Sequence, residues 1–191
     1  VALEELLSLA LPRLERVYQY SLAHRFHEEG NESLYADEES VEGHDDTISD
    51  TLLGRRLQVV VKIVDYELRN GNTFSGVWHV EGMSHENIVA TALYVADRSE
   101  DLQGGDLHFK RAFWAREVSR LFMEIAQCRP DAIETAIDEG MVPLGILPTP
   151  GGRLIVFPNS HVHRVSELFG TGRRRIIVFF LINPERRIPS S

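Results

Sequence analysis

Short runs of β-branched and aromatic residues, separated by glycine and proline, fill the chain from position 57 onward and leave few folds open. Leu57 to Leu68 (LQVVVKIVDYEL) is the first, with Gln58, Val60 and Lys62 on one face and Val59, Val61 and Ile63 on the other. Ile88 to Ala96 (IVATALYVA) follows, too short and too β-branched to favour a helix. Asp106 to Lys110, Val142 to Leu147, Arg153 to Phe157 and Arg174 to Ile182 continue the series, and Asn70-Gly71-Asn72 reads as a turn. Helical spacing is confined to two places. At the start, Leu3, Leu6, Leu7, Ala10, Leu14, Val17 and Tyr18 recur at helical intervals, with Pro12 expected to kink or restart the helix. In an insertion, Val118, Leu121, Phe122 and Ile125 mark one helix and Pro130 to Glu139 a second. This order predicts a mainly β (α+β) fold, a double-stranded β-helix or jelly roll of two sheets. Residues 1–56 are expected to form an N-terminal helix and an acidic loop or lid, and residues 57–191 the jelly-roll core.

At 191 residues and 43% apolar, the chain suits one compact core. A single cysteine, Cys128, excludes an internal disulfide framework and a cysteine-based zinc site, and fits a reducing compartment. No apolar run reaches the roughly 18 residues of a membrane span. The expectation is an intracellular, cytoplasmic protein, with the start at Val1 consistent with a trimmed N-terminus. The net charge of −9 is local, because residues 28–50 hold ten Asp/Glu and no Lys/Arg. That stretch reads as solvated and lacks the order of a calcium loop. An acidic chain whose densest basic cluster is Arg173-Arg174-Arg175 makes a poor nucleic-acid binder.

His79-Val80-Glu81 carries the chemistry. Two positions apart in an extended segment, His79 and Glu81 point the same way. One more histidine from a distant strand completes two imidazoles and one carboxylate, a set that holds a divalent metal on one face and leaves the opposite positions open. His161 and His163 lie two apart, so strand parity cannot choose between them. The bland reading of a lone His-x-Glu is a buried histidine bonded to a neighbour.

The segments Trp78-His79-Val80-Glu81-Gly82, Ala90-Thr91-Ala92-Leu93-Tyr94 and Gly104-Gly105-Asp106-Leu107-His108-Phe109 occur in that order. Gly151-Gly152-Arg153-Leu154-Ile155-Val156-Phe157-Pro158-Asn159, His163-Arg164-Val165 and Gly172-Arg173-Arg174 complete the set. Together they resemble the 2-oxoglutarate/iron(II) oxygenases of the prolyl 4-hydroxylase-like group, over residues 57–184. They also resemble an uncharacterised family of longer oxygenase-like proteins, which raises the expectation of a substrate-binding part outside this chain. Glu81 departs from the aspartate usual in the wider superfamily.

The resemblance implies a jelly-roll dioxygenase with His79, Glu81 and His163 on Fe(II), and with His161 beside the metal or at the surface. Arg174 is then the anchor for the distal carboxylate of 2-oxoglutarate, since a planar guanidinium can grip it with two parallel hydrogen bonds. Arg173 and Arg175 take the opposite, solvent-facing side of the strand. Lys62 either reaches 2-oxoglutarate or substrate, or snorkels to the surface. His108 is expected to be structural, and His24, His27, His44 and His85 solvated; Trp78 and Tyr94 stay open between pocket and core. The implied reaction uses 2-oxoglutarate and O₂, with ascorbate as an accessory reductant, and releases succinate and CO₂. Hydroxylation of a small molecule or peptide is the default outcome. The alternative is a non-catalytic, cupin-like barrel that binds a metal or small ligand, or an interaction domain.

Overall fold

The computed structural model describes residues 2–23, 51–69, 71–113 and 140–186. The acidic stretch 28–50, Cys128, Asn70, the helices expected within 118–139, and His24, His27 and His44 lie outside them.

Helix α1 (Leu3–Ala23) is followed by strands β1 (Val59–Leu68), β2 (Ile88–Arg98), β3 (Gln103–Gly104), β4 (Leu107–Ala112), β5 (Met141–Leu147), β6 (Leu154–Pro158), β7 (Val162–Val165), β8 (Leu168–Phe169) and β9 (Gly172–Ile182). All named strand pairs are antiparallel. One sheet has the order β1-β9-β2-β6, a second the order β5-β4-β7, and β3 pairs with β8. The segment from Phe74 to His79 runs along the free edge of β7 and β8. It is tied there by the bridges Phe74 to Leu168 and His79 to His163, and by the Gly76 N–H donating to the Val165 carbonyl at 3.0 Å.

The continuous apolar run of β9 follows from its position, because a strand covered on both faces needs no polar side. Ile176, Val178 and Phe180 face the second sheet and pack with Leu93, Val95, Leu107, Phe109, Ile155, Phe157 and Val165. Phe179 and Leu181 face the other way, onto α1, with Ala90, Ala92, Leu6, Ala10, Leu14 and Tyr18. The small residues Ala90 and Ala92 let the helix lie close to β2.

Pro12 neither ends nor restarts α1, which runs unbroken for 21 residues. A proline costs one main-chain rung, and the buried stripe Leu6, Ala10, Leu14 and Tyr18 on both sides of it holds the helix to the sheet. No helix among the described residues is long and apolar enough to cross a membrane.

Candidate metal centre

His79 and His163 face each other across the edge of β7, each donating its main-chain N–H to the carbonyl of the other at 3.0 and 2.9 Å. This close pairing brings the two imidazoles to 4.5 Å between ring centres. His163 is nearly buried, with its ring against Phe157 at 4.7 Å and Phe109 at 6.0 Å, so the inter-sheet core sets its orientation. His79 Nε2 lies 3.7 Å and His163 Nε2 3.4 Å from Glu81 Oε1. The three ligand atoms all fall within 4.8 Å of one another, and this cluster could hold a metal ion.

The hydrogen bonds behind the rings favour that use. His79 Nδ1 donates to the Val77 carbonyl at 2.8 Å and His163 Nδ1 to the His161 carbonyl at 3.2 Å. A carbonyl only accepts, so each Nδ1 carries the proton. In the neutral ring Nε2 then offers a lone pair toward the same oxygen, the arrangement of a histidine ligand braced from behind. Cis ligands on an ion about 2.1 Å away sit about 3 Å apart, somewhat closer than the 3.4 and 3.7 Å that separate the two Nε2 atoms from Glu81 Oε1. Burial pushes the Glu81 carboxyl up, but when the imidazoles are protonated at Nε2 as well, the hydrogen bond from His163 and the charges of His163, His79 and Lys62 outweigh it and hold the group below its ordinary range. Side-chain exposure of 42% at His79 against 4% at His163 means that the cluster opens on the His79 side.

Asn159, in the sequence only one letter of a motif, holds the main chain at Glu81. Its Oδ1 accepts the Glu81 N–H at 2.9 Å, while its Nδ2 donates to the Glu81 carbonyl at 2.9 Å and the Ile88 carbonyl at 3.1 Å. This clamp fixes the bend on which the Glu81 carboxylate is carried.

The other singled-out residues separate clearly. Arg174 is fully buried on the inner face of β9; its Nη2 donates to Thr149 Oγ1 at 3.0 Å, and its Nε and Nη1 have no partner among the described residues. Burial, with Arg98 as a like-charged neighbour, lowers its pKa to about 10, so it keeps its charge at neutral pH. Arg173 and Arg175 are surface residues that donate to Asp97 at 2.7 Å and Asp65 at 2.6 Å. Lys62 is exposed; it shares the inner-face parity of Tyr66 and lies in electrostatic reach of Glu81. Tyr66, paired with Arg174 across the sheet, feels both ends of the site: burial pushes its phenol up, Arg174 pulls it down and Glu81 pushes it up.

His161 turns away from the cluster toward Tyr20, whose hydroxyl is 3.5 Å from its Nε2; burial, Arg111 and His163 lower its pKa to about 4. Trp78 packs outside the core, with Lys110 Nζ 4.9 Å and Arg164 Cζ 4.8 Å from its ring and His108 edge-on. Tyr94 joins the helix-side core, and His85 is exposed on a 3-10 turn.

Residues 3–191 match the family described as protein of unknown function (DUF4246). No curated protein matches the chain.

Proposed function

Since the chain belongs to the DUF4246 family, its activity must be read from its own residues, and we propose that it is an iron(II)- and 2-oxoglutarate-dependent oxygenase of jelly-roll fold. The observation that carries this reading is one combination. A two-histidine, one-carboxylate cluster shares the space between two sheets with a buried guanidinium that has N–H groups to spare. Such a cluster without the arginine would serve any metal-binding barrel, and the arginine without the cluster would be a puzzle of burial cost.

The strand orders support the jelly roll. Counting the Phe74–His79 segment as a strand, the two sheets become β1-β9-β2-β6 and segment-β7-β4-β5. Successive long strands then alternate between the sheets except at β4 and β5, which are neighbours in the second sheet, and this arrangement fits a double-stranded β-helix.

In this reading His79 Nε2, Glu81 and His163 Nε2 hold the metal on one face, and Asn159 keeps the carboxylate bend in place. Arg174 binds the distal carboxylate of 2-oxoglutarate. Iron(II) chelated by 2-oxoglutarate supplies, when bound, the activation of dioxygen that oxidises a C–H bond of the prime substrate, with release of succinate and CO₂. The protein's part is to orient and to exclude water. Phe109 and Phe157 wall the buried side of His163, and the exposed side at His79 is where a substrate enters.

Anaerobic titration tests the pairing of metal and cosubstrate. 2-Oxoglutarate is expected to bind the iron-loaded chain at one equivalent, and Glu81→Ala to lose the iron and with it the tight binding. Stoichiometric metal with no affinity for 2-oxoglutarate would favour the non-catalytic metal-binding barrel.

A further inference from the structure

A row of three side chains crosses the four-stranded sheet beside Arg174, and one of them has no role so far. Tyr66 of β1 pairs with Arg174 of β9, which pairs on its other side with Arg98 of β2. Arg98 reaches this inner face through an irregularity in β2, where the register shifts between Val95 and Asp97. The extra residue reverses the side-chain parity, so Arg98 joins the face of Leu93 and Val95 instead of the helix side.

The two arginines form an arrangement that is costly as it stands. Like charges directly opposite one another on antiparallel strands repel, and buried charges need partners. Among the described residues neither arginine makes an ion pair, and the Asp106 carboxylate only partly offsets the charge of Arg174. Arg98 Nη2 donates to the carbonyls of Leu102 at 3.0 Å and Gly104 at 2.9 Å, which fixes the guanidinium plane. Arg98 Nη1 is buried and has no partner, like Nη1 and Nε of Arg174. The two free Nη1 atoms converge: a methyl group built on Gly105 would sit 3.1 Å from Arg174 Nη1 and 3.5 Å from Arg98 Nη1. Gly105 has φ +75° and no side chain, which leaves the Leu168 side chain, with Cδ1 2.8 Å from the same point, as the apolar border of this space.

We infer that Arg98 and Arg174 form one anion pocket, and that both guanidiniums hold the terminal carboxylate of the cosubstrate. This rests on the 2-oxoglutarate reading above. Two converging donors that are otherwise unpaired match a carboxylate, which can accept from both and offset their mutual repulsion. Arg98 is then a specificity residue for dicarboxylic oxo acids, besides its role in tying down the loop at Leu102 and Gly104.

The test compares 2-oxoglutarate with 2-oxopentanoate, which keeps the oxo acid and the chain length but lacks the terminal carboxylate. Binding is measured anaerobically on the iron-loaded full chain. Arg98→Gln is expected to weaken 2-oxoglutarate about tenfold or more, the usual effect of losing a hydrogen bond to a charged group, and to leave 2-oxopentanoate within about twofold. If Arg98 only ties the loop, both acids weaken by the same factor, and that result, or no change in either, overturns the inference. Should Arg98→Gln fail to fold, the same ratio is read on Arg98→Lys, with a smaller but still selective loss expected. If wild-type protein loaded with iron binds no 2-oxoglutarate, the proposed function falls separately, and the pocket is then judged with glutarate on the metal-free chain. Glutarate binding that Arg98→Gln abolishes keeps the pocket; no glutarate binding by wild type removes it.

Discussion

Asn159 grips the main chain of Glu81 from both sides, accepting its N–H and donating to its carbonyl, each at 2.9 Å. Only one orientation of the amide satisfies this set, since the N–H needs Oδ1 and the two carbonyls need Nδ2. Asn159→Ala removes three hydrogen bonds, and the expected cost is about 2–4 kcal/mol of stability. Metal affinity should also fall about tenfold or more, as for other groups that orient ligands. Asn159→Asp should not rescue, because it sets a carboxylate against the carbonyls of Glu81 and Ile88. Denaturant titration and metal competition read the two effects separately; metal affinity unchanged in a folded Asn159→Ala would remove Asn159 from the site.

The three residues proposed to hold the metal should behave as a set. His79→Ala, Glu81→Ala and His163→Ala are each expected to strip most of the bound iron, whereas His161→Ala retains it, because His161 faces Tyr20. Metal analysis of the purified variants checks this. Loss of iron from His161→Ala but not from His163→Ala would mean that the last histidine is misassigned.

Metal should also stabilise the fold. An ion that binds only the folded chain adds about 2.7 kcal/mol when its concentration is 100 times its dissociation constant. Thermal unfolding with and without chelator should show this shift in wild type and no shift in Glu81→Ala.

The three consecutive arginines should differ sharply. Arg174→Ala is expected to weaken 2-oxoglutarate binding about 10- to 150-fold with iron retained. Arg173→Ala and Arg175→Ala should leave it nearly unchanged, because their partners are the surface carboxylates Asp97 and Asp65. Equal losses at all three positions would indicate a diffuse basic patch in place of an anchor.

Asp65 supplies a pH test with a definite sign. The hydrogen bond from Arg175 holds its carboxyl below the ordinary carboxylate value. The stabilisation is therefore present above the unfolded carboxyl pKa near 4 and is lost as pH falls through the lower folded value. Arg175→Met should flatten this part of the acid limb of a stability–pH curve, and added salt should shrink the difference, because the pair is exposed.

Much of this arrangement was legible in the sequence because alternation is a strong constraint on strands. Val59 to Leu68, Ile88 to Arg98 and Gly172 to Ile182 all lie within or next to runs marked by β-branched residues. The same two-residue spacing put His79 beside Glu81 and Arg174 opposite to Arg173 and Arg175. What escaped depends on departures from that period. Arg98 escaped because the irregularity at Val95–Asp97 reverses parity, and nothing in ADRSED announces it. Asn159 was visible as a letter of a motif, but its grip on Glu81 spans 78 positions of chain and exists only after folding. At Pro12 the restart did not occur, because the helix is held by packing on both sides of the proline.

If His79, Glu81 and His163 support the proposed oxidation of 2-oxoglutarate, succinate formation reveals it without knowledge of the prime substrate. The isolated protein with iron(II), 2-oxoglutarate, O₂ and ascorbate should release succinate slowly, because the bond that breaks already lies in the cosubstrate, and the true substrate should stimulate it. Omitting iron or O₂, or substituting Glu81→Ala, should abolish the signal. Succinate no higher than the Glu81→Ala blank, with iron and 2-oxoglutarate both shown to be bound, would contradict the account.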